Sequence, residues 1–155
     1  MPRSHPNIVF VFADQMRGQA FGAGGNRLVR TPNIDRIARE GVRVTNAVSS
    51  YPVCSPYRAS LLTGRNHHAV GMGLFPELAL HHEGYHGRVP KTAATLARVL
   101  KDGGFSTFAI GKWHLTPRGE FGASGPFDHW PLGWGFDHWW GFLTGAAGQY
   151  DPIIT

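Results

Sequence analysis

Apolar and glycine-rich polar stretches alternate along this 155-residue chain and predict strands that alternate with helices. Residues 7–13 form a continuous run of apolar residues, which is typical of a strand buried on both faces. Residues 42–50 begin with a period-two alternation and predict a second strand, and residues 105–110 predict a third. The pattern favours an α/β fold with a parallel or mixed sheet covered by helices.

Start and stop signals predict three helices. Residues 31–41 begin with a threonine cap and a proline and end at a glycine. Residues 90–104 form the strongest helical pattern, with an apolar face and two closing glycines; the positions of that face are Ala93, Leu96, Ala97 and Leu100. Between them, a Ser-Pro pair opens a short helix that Gly64 ends.

The short helix places Cys54, the single cysteine of the chain, at a helix N-terminus. Free backbone N–H groups and the positive end of the helix dipole favour an anion there. Arg58 follows four residues later, about one turn, and returns to the same face. This combination suits attack on a charged tetrahedral substrate.

Polar residues also follow two of the predicted strands. Asp14 and Gln15 come directly after the first strand, and Lys112 and His114 come after the third. Ligands of open α/β sheets gather outside the carboxyl ends of strands, so Asp14 is a candidate metal ligand or catalytic group. A role as the cap of the next turn fits its position equally well.

Composition narrows the classes of partner. The net charge is +5, yet lysine and arginine are scattered, so attraction of small anions is expected rather than nucleic-acid binding. One cysteine excludes an internal disulfide. The N-terminal apolar run is too short for a signal peptide, and a charged residue follows it too closely. No apolar stretch is long enough to cross a membrane. No membrane partner and a cytoplasmic location are therefore predicted, or a periplasmic or secreted one if a leader is missing.

The histidines and the aromatic residues each allow two interpretations of their role. The nine histidines could indicate zinc, but the one helix-like pair, His82 and His86, spans Gly84 and lacks a second thiolate, which favours solvated or cleft-lining histidines. The aromatic residues of 116–140 predict a long irregular segment packed over the sheet edge, with a sugar- or aryl-stacking wall as the alternative. The apolar end at 150–155 suggests the front part of a longer chain.

Three stretches in this order resemble one family. Cys54-x-Pro56-x-Arg58 with the later Thr-Gly-Arg resembles the modification motif of the type I (formylglycine-dependent) sulfatases, and Gly111-Lys112-Trp113-His114 resembles their second motif. The opening, from the strand before Asp14 to residues 31–35, is similar as well. Residues 66–73 and 125–128 resemble bacterial arylsulfatases. The resemblance covers nearly the whole chain.

The resemblance implies an alkaline-phosphatase-like α/β fold, a mixed sheet with flanking helices, of which residues 1–155 form the N-terminal part of a truncated catalytic domain. It implies a sulfuric ester hydrolase that acts on a small sulfate ester or a sulfated glycan, although this chain by itself is expected to be inactive. A formylglycine-generating enzyme would oxidise Cys54 to formylglycine, whose hydrate attacks sulfur and then expels sulfate.

The resemblance also assigns roles to the other candidates. Asp14, Gln15 and the modified Cys54 would bind a divalent ion, usually Ca²⁺. Arg58 would orient the hydrate. Lys112 would hold a sulfate oxygen, and His114 would assist the hydrate chemistry.

Departures from the family keep alternatives open. Gln15 stands where many members have a second aspartate, which also fits phosphonate or phosphate-diester hydrolases and choline-sulfatase-like enzymes. Tyr57 replaces a residue that is usually small. The resemblance implies that the remaining acidic ligands would lie beyond residue 155, so a dead fragment that keeps only an anion-binding site is a further alternative. A thiol phosphatase fits poorly, because its Cys and Arg need five intervening residues and Cys54 and Arg58 have three.

Overall fold

The computed structural model describes residues 5–148 and 150, and the predictions for the two chain ends lie mostly outside these residues. The chain divides between Ala47 and Val48 into two compact units. The described elements are three helices, α1 (Pro32–Glu40), α2 (Cys54–Thr63) and α3 (Leu96–Asp102), two strands, β1 (Phe108–Lys112) and β2 (His138–Phe142), and 3₁₀ turns at Gly22–Gly24, His68–Val70, Pro76–Leu78 and Pro131–Trp134. Among the described residues, none of the helices has the length and apolar character needed to cross a bilayer.

Helix α1 of the first unit confirms the helix predicted for residues 31–41. Thr31 does not cap the helix through its side chain. Instead, its hydroxyl accepts a hydrogen bond from the Gly22 N–H (2.8 Å) and donates one to the Asp35 carboxylate (3.1 Å). Asp35 also accepts the Ala23 N–H at 2.7 Å, so one carboxylate ties α1 to the preceding turn.

The predictions of strands at residues 7–13 and at residues 42–50 are both wrong. Neither segment is a strand, and their apolar side chains are exposed: Val9 by 84%, Val11 by 87% and Val42 by 93%. A strand exists only with a hydrogen-bonded neighbour, and neither segment pairs with another strand within the described residues. An apolar run in the sequence does not by itself supply that neighbour.

The sheet of the second unit consists of β1 and β2, which run parallel, with Phe108 opposite His138 and Lys112 opposite Phe142. The third predicted strand, at 105–110, is thus found but shifted toward the C-terminus. Thr107 explains where it begins, since its N–H donates to the Asp137 carboxylate (2.8 Å) and its hydroxyl to the Gly135 carbonyl (2.7 Å), outside the ladder.

Strand β2 was missed by the prediction of a long irregular segment over residues 116–140. Its pairing with β1 depends on a glycine. A Cβ atom at Gly141 would lie 1.9 Å from the Gly111 carbonyl oxygen, so the two backbones approach only because Gly141 has no side chain.

Helix α3 is shorter than the helix predicted for residues 90–104. Thr95 has an extended backbone (φ −103°, ψ 159°), and its hydroxyl accepts the Arg98 N–H at 3.2 Å as an N-cap. The helix therefore begins at Leu96. Ala97 is buried as predicted, whereas Leu96 is exposed.

The core of the second unit gathers residues from α2, the loops around β1 and β2, and the aromatic segment. Trp113 and Trp134 are buried in it, and Trp130 and Trp139 pack against it with their rings 6.0 Å apart, edge to face. For the three tryptophans of this group that lie within 116–140, the prediction of packing is confirmed, rather than the alternative of a sugar- or aryl-stacking wall. Trp140 is exposed.

Candidate active site

Cys54 is the first residue of α2, as predicted. Val53 precedes it in an extended conformation, and Gly64 ends the helix in the left-handed region (φ 66°) that glycine tolerates. The Tyr57 N–H donates to the Val53 carbonyl at 3.0 Å, and Pro56 has no N–H. The N–H groups of Cys54 and Ser55 are thus the first-turn donors without an intrahelical partner. The thiol is half-buried and forms no disulfide.

Arg58 connects α2 to the end of β1. Its Nη1 donates to the Lys112 carbonyl oxygen at 2.7 Å, across 54 residues of sequence. The pairing between the strand segments continues past β1, because the N–H groups of Trp113 and His114 donate to the carbonyls of Phe142 and Leu143, each at 2.9 Å. Arg58 of α2 therefore lies near Lys112 and His114 at the end of β1.

The His114 side chain is buried and lies in a narrow space. Its Nε2 is 3.3 Å from the Glu77 carboxylate, and the Phe75 ring stacks on it at 5.3 Å with an interplanar angle of 15°. Burial lowers the pKa of His114; Glu77 opposes this shift, and the charges of Lys112 and Arg58 add to it. The imidazole is thus neutral at pH 7.

Glu77 was missed by the sequence reasoning. It lies in the turn Pro76–Leu78, 37 residues from His114. One signal could have drawn attention to it, because it is the only carboxylate between Glu40 and Glu83 in a stretch rich in basic residues. Nothing local, however, relates it to His114.

His67 departs from the prediction of solvated or cleft-lining histidines. It is 4% exposed, and neither ring nitrogen bonds to a described residue. Its ring contacts Tyr51 (4.6 Å) and His68 (4.2 Å). Burial, with a contribution from the charge of His68, lowers the pKa of His67. The prediction holds for the exposed histidines 68, 81, 82 and 86.

Asp14 and Gln15 belong to the first unit, and their role as metal ligands stays a prediction. Gln15 has a left-handed backbone (φ 57°). Within residues 5–148 and 150, no group of three or more His, Cys, Asp or Glu side chains could hold a metal ion. Ca²⁺ binds about six to eight oxygen atoms. The predicted donors Asp14, Gln15 and the modified Cys54 have suitable oxygen atoms but would supply only part of this coordination shell.

Comparisons with known proteins agree across sequence and structure. A family model described as Sulfatase matches residues 6–154. Arylsulfatase D of Homo sapiens is 40% identical over 148 residues, which cover 95% of this chain and 25% of that protein. The chain thus spans about a quarter of the length of the curated relatives it matches.

Two solved structures extend the agreement to the fold. The crystal structure of Ps i-CgsB superposes with a TM-score of 0.78 at 32% identity and covers 94% of this chain and 30% of that one. The structure of BT4656 in complex with its substrate D-glucosamine-2-N,6-O-disulfate has a TM-score of 0.72 at 31% identity, with coverages of 97% and 26%.

Proposed function

Because the chain belongs to the sulfatase family and shares the alkaline-phosphatase-like α/β fold of its structural neighbours, we propose that this protein is a sulfuric ester hydrolase. One observation supports it most strongly. The Arg58 guanidinium, one turn after Cys54, bonds the carbonyl of Lys112, two residues before His114. This contact supports the proposal that both sequence motifs contribute to one site.

Cys54 is the proposed nucleophile precursor. In this proposal a formylglycine-generating enzyme converts it to formylglycine, which would supply an aldehyde hydrate oxygen for attack on sulfur. The half-buried thiol, unpaired in a disulfide, fits that modification. The buried Ser55 and Pro56 hold the start of α2 in place beside it.

Lys112 is the proposed sulfate-binding cation, and Arg58 is proposed to orient the hydrate beside it. A sulfate ester carries negative charge, and cationic donors fixed before the reaction stabilise charge that develops in the transition state. The bond to the Lys112 carbonyl restrains the Arg58 side chain, so less rotamer entropy is lost when substrate binds. The N-terminus of α2 adds a dipole of the same sign.

His114 is the proposed proton-transfer group. Its burial and the nearby positive charges keep it neutral at pH 7, so it can accept a proton there. Asp14 and Gln15 are proposed as ligands of a divalent ion, Ca²⁺ in this family, because both offer the oxygen atoms that such an ion prefers.

The proposed substrate is a small sulfate ester or a sulfated glycan. The neighbour solved with a disulfated glucosamine supports the glycan, and the similarity to arylsulfatase D supports an aryl ester. The net charge of +5 favours either anionic substrate over a neutral one.

Because this chain by itself is expected to be inactive, the test uses the full-length protein, co-expressed with a formylglycine-generating enzyme, and has two readouts. Mass spectrometry of the tryptic peptide that contains Cys54 is expected to show formylglycine, and Cys54→Ala is the control. Hydrolysis of an aryl sulfate with added Ca²⁺ is expected to depend on Cys54. A peptide that keeps only the thiol, together with no sulfate ester turnover, would overturn the proposal.

Gln15 favours a second candidate function. A neutral amide in place of a carboxylate lowers the negative charge around the metal ion, which also suits a phosphonate or phosphate-diester hydrolase. Faster turnover of an aryl phosphonate ester than of the matching aryl sulfate would select this candidate. Calorimetry with Ca²⁺ and sulfate addresses the third candidate, a dead chain with a residual anion site: sulfate binding without Ca²⁺ binding or turnover would select it.

A further inference from the structure

The His114 ring is held from three directions by residues outside both sequence motifs. Phe75 stacks on its face, and Glu77 lies at its Nε2. On another side, a Cβ atom at Gly145 would lie 2.6 Å from the ring Cε1 and 2.8 Å from Nε2, so the ring fits against this residue only because glycine has no side chain. The opposite nitrogen, Nδ1, is buried and bonds to no described residue.

The turn at Pro76–Leu78 and Phe75 directly before it supply two of these three contacts. Pro76 is fully buried, and the Leu78 N–H donates to the Phe75 carbonyl at 2.9 Å. The buried proline anchors the turn, so its neighbours Phe75 and Glu77 reach the same imidazole.

We propose that Glu77 is a positioning residue for His114: its carboxylate accepts the Nε2–H and leaves Nδ1 as the nitrogen that exchanges a proton during the reaction. A carboxylate can only accept, so the neutral ring beside it carries its proton on Nε2 and a lone pair on Nδ1. Glu77 is 37% exposed and therefore touches solvent on one side, whereas the His114 side chain is 5% exposed. This inference rests on the proposed function for the use of Nδ1.

The groups that face the His114 ring shift its pKa in opposite directions. Burial disfavours the protonated ring most strongly, Glu77 favours it, and the charges of Lys112 and Arg58 disfavour it. Removing Glu77 therefore leaves two cations unopposed and lowers the pKa of His114 further. It also removes the acceptor that selects one tautomer.

Nitrogen-15 NMR of histidine-labelled protein tests the assignment without any turnover. The His114 signals are identified by their loss in His114→Gln. In the parent protein, the neutral ring is expected to be protonated at Nε2. Glu77→Ala should mix the two tautomers and lower the pKa. Glu77→Gln keeps a carbonyl acceptor, so it should retain the tautomer and still lower the pKa.

Glu83→Gln is the matched control, because Glu83 is exposed and its charge is the same. It should change neither readout. The proposal is overturned if the parent ring is protonated at Nδ1, or if Glu77→Gln leaves the pKa of His114 where it was. The second criterion stands even if Glu77→Ala fails to fold.

Turnover then separates this inference from the proposed function. In the full-length protein with formylglycine at position 54, Glu77→Ala should lower kcat on the order of 10-fold to 100-fold with a smaller change in KM, and Glu77→Gln should recover part of the lost kcat. Absence of aryl sulfate turnover in the parent protein, with the Nε2 tautomer present, would overturn the proposed function and the role of Nδ1 but leave the contact of Glu77 with His114 intact. Unchanged kcat in Glu77→Ala would overturn the positioning role alone.

Discussion

Glu120 joins three parts of the second unit through one buried carboxylate. Its Oε1 accepts from Arg88 Nη2 at 2.8 Å, and its Oε2 accepts from His129 Nδ1 at 2.7 Å. Two indole N–H groups also donate to backbone carbonyls of these residues: Trp130 to the Glu120 carbonyl (2.7 Å) and Trp113 to the His129 carbonyl (3.0 Å). Glu120→Ala removes the carboxylate and keeps the backbone acceptors.

The expected cost follows from the exposure of the two partners. The His129 side chain is 11% exposed, and a buried donor left without an acceptor costs about 1–3 kcal/mol. Arg88 is 55% exposed and regains water, so its lost ion pair adds about 1 kcal/mol at most. A total of about 1–4 kcal/mol should lower the unfolding midpoint by roughly 2–16 °C in a chain of this size.

Thermal unfolding followed by tryptophan fluorescence measures this change, because all five tryptophans lie in the second unit. Glu120→Gln should lose less stability than Glu120→Ala, because its amide oxygen can still accept a hydrogen bond from His129. Glu83→Ala, at an exposed position, is the control and should stay within about 0.5 kcal/mol of the parent. If Glu120→Ala unfolds at the same temperature as Glu83→Ala, the carboxylate does not hold these elements together.

Two further predictions concern a buried histidine and a close backbone contact. The pKa of His67 is lowered by burial, so the unfolded chain takes up a proton that the folded ring resists, and stability should fall as the pH drops below about 6.5. His67→Phe should reduce the loss of stability in urea between about pH 7.5 and about pH 5.5, and an equal loss in both proteins would contradict the assignment. Gly141→Ala places a methyl group 1.9 Å from the Gly111 carbonyl oxygen and should cost at least about 3 kcal/mol or abolish cooperative unfolding. Gly122→Ala meets only Ser124 Oγ at 3.7 Å and serves as the control; equal stability of the two variants would show that β1 and β2 adjust freely.

Helix α2 shows how far local sequence signals reach. A Ser-Pro pair at its start and Gly64 at its end were sufficient to predict where it begins and ends, and the structure has both ends there. Those signals act within one turn, because caps and stops satisfy the backbone groups of residues directly beside them. The position of Cys54 at the helix N-terminus followed from the same signals.

Thr95 shows where a local signal misleads. Helical periodicity extended the predicted helix back to residue 90, whereas the Thr95 side chain caps the helix and bonds the Trp134 carbonyl in the core. The second bond spans 39 residues, so no property of residues 90–104 reveals it. A contact with a distant residue therefore decided that Thr95 caps the helix instead of lying inside it.

The sequence alone determined the membership of the motifs in one family, the helices around Thr31 and Cys54, and the identity of the candidate residues Cys54, Arg58, Lys112 and His114. Only the tertiary structure decided which strands form, that Arg58 bonds the Lys112 carbonyl, and that Glu77 lies against His114. The reason is the range of the interactions. A helix satisfies its hydrogen bonds within four residues, whereas a strand or a buried side chain needs a partner that the chain brings from tens of residues away.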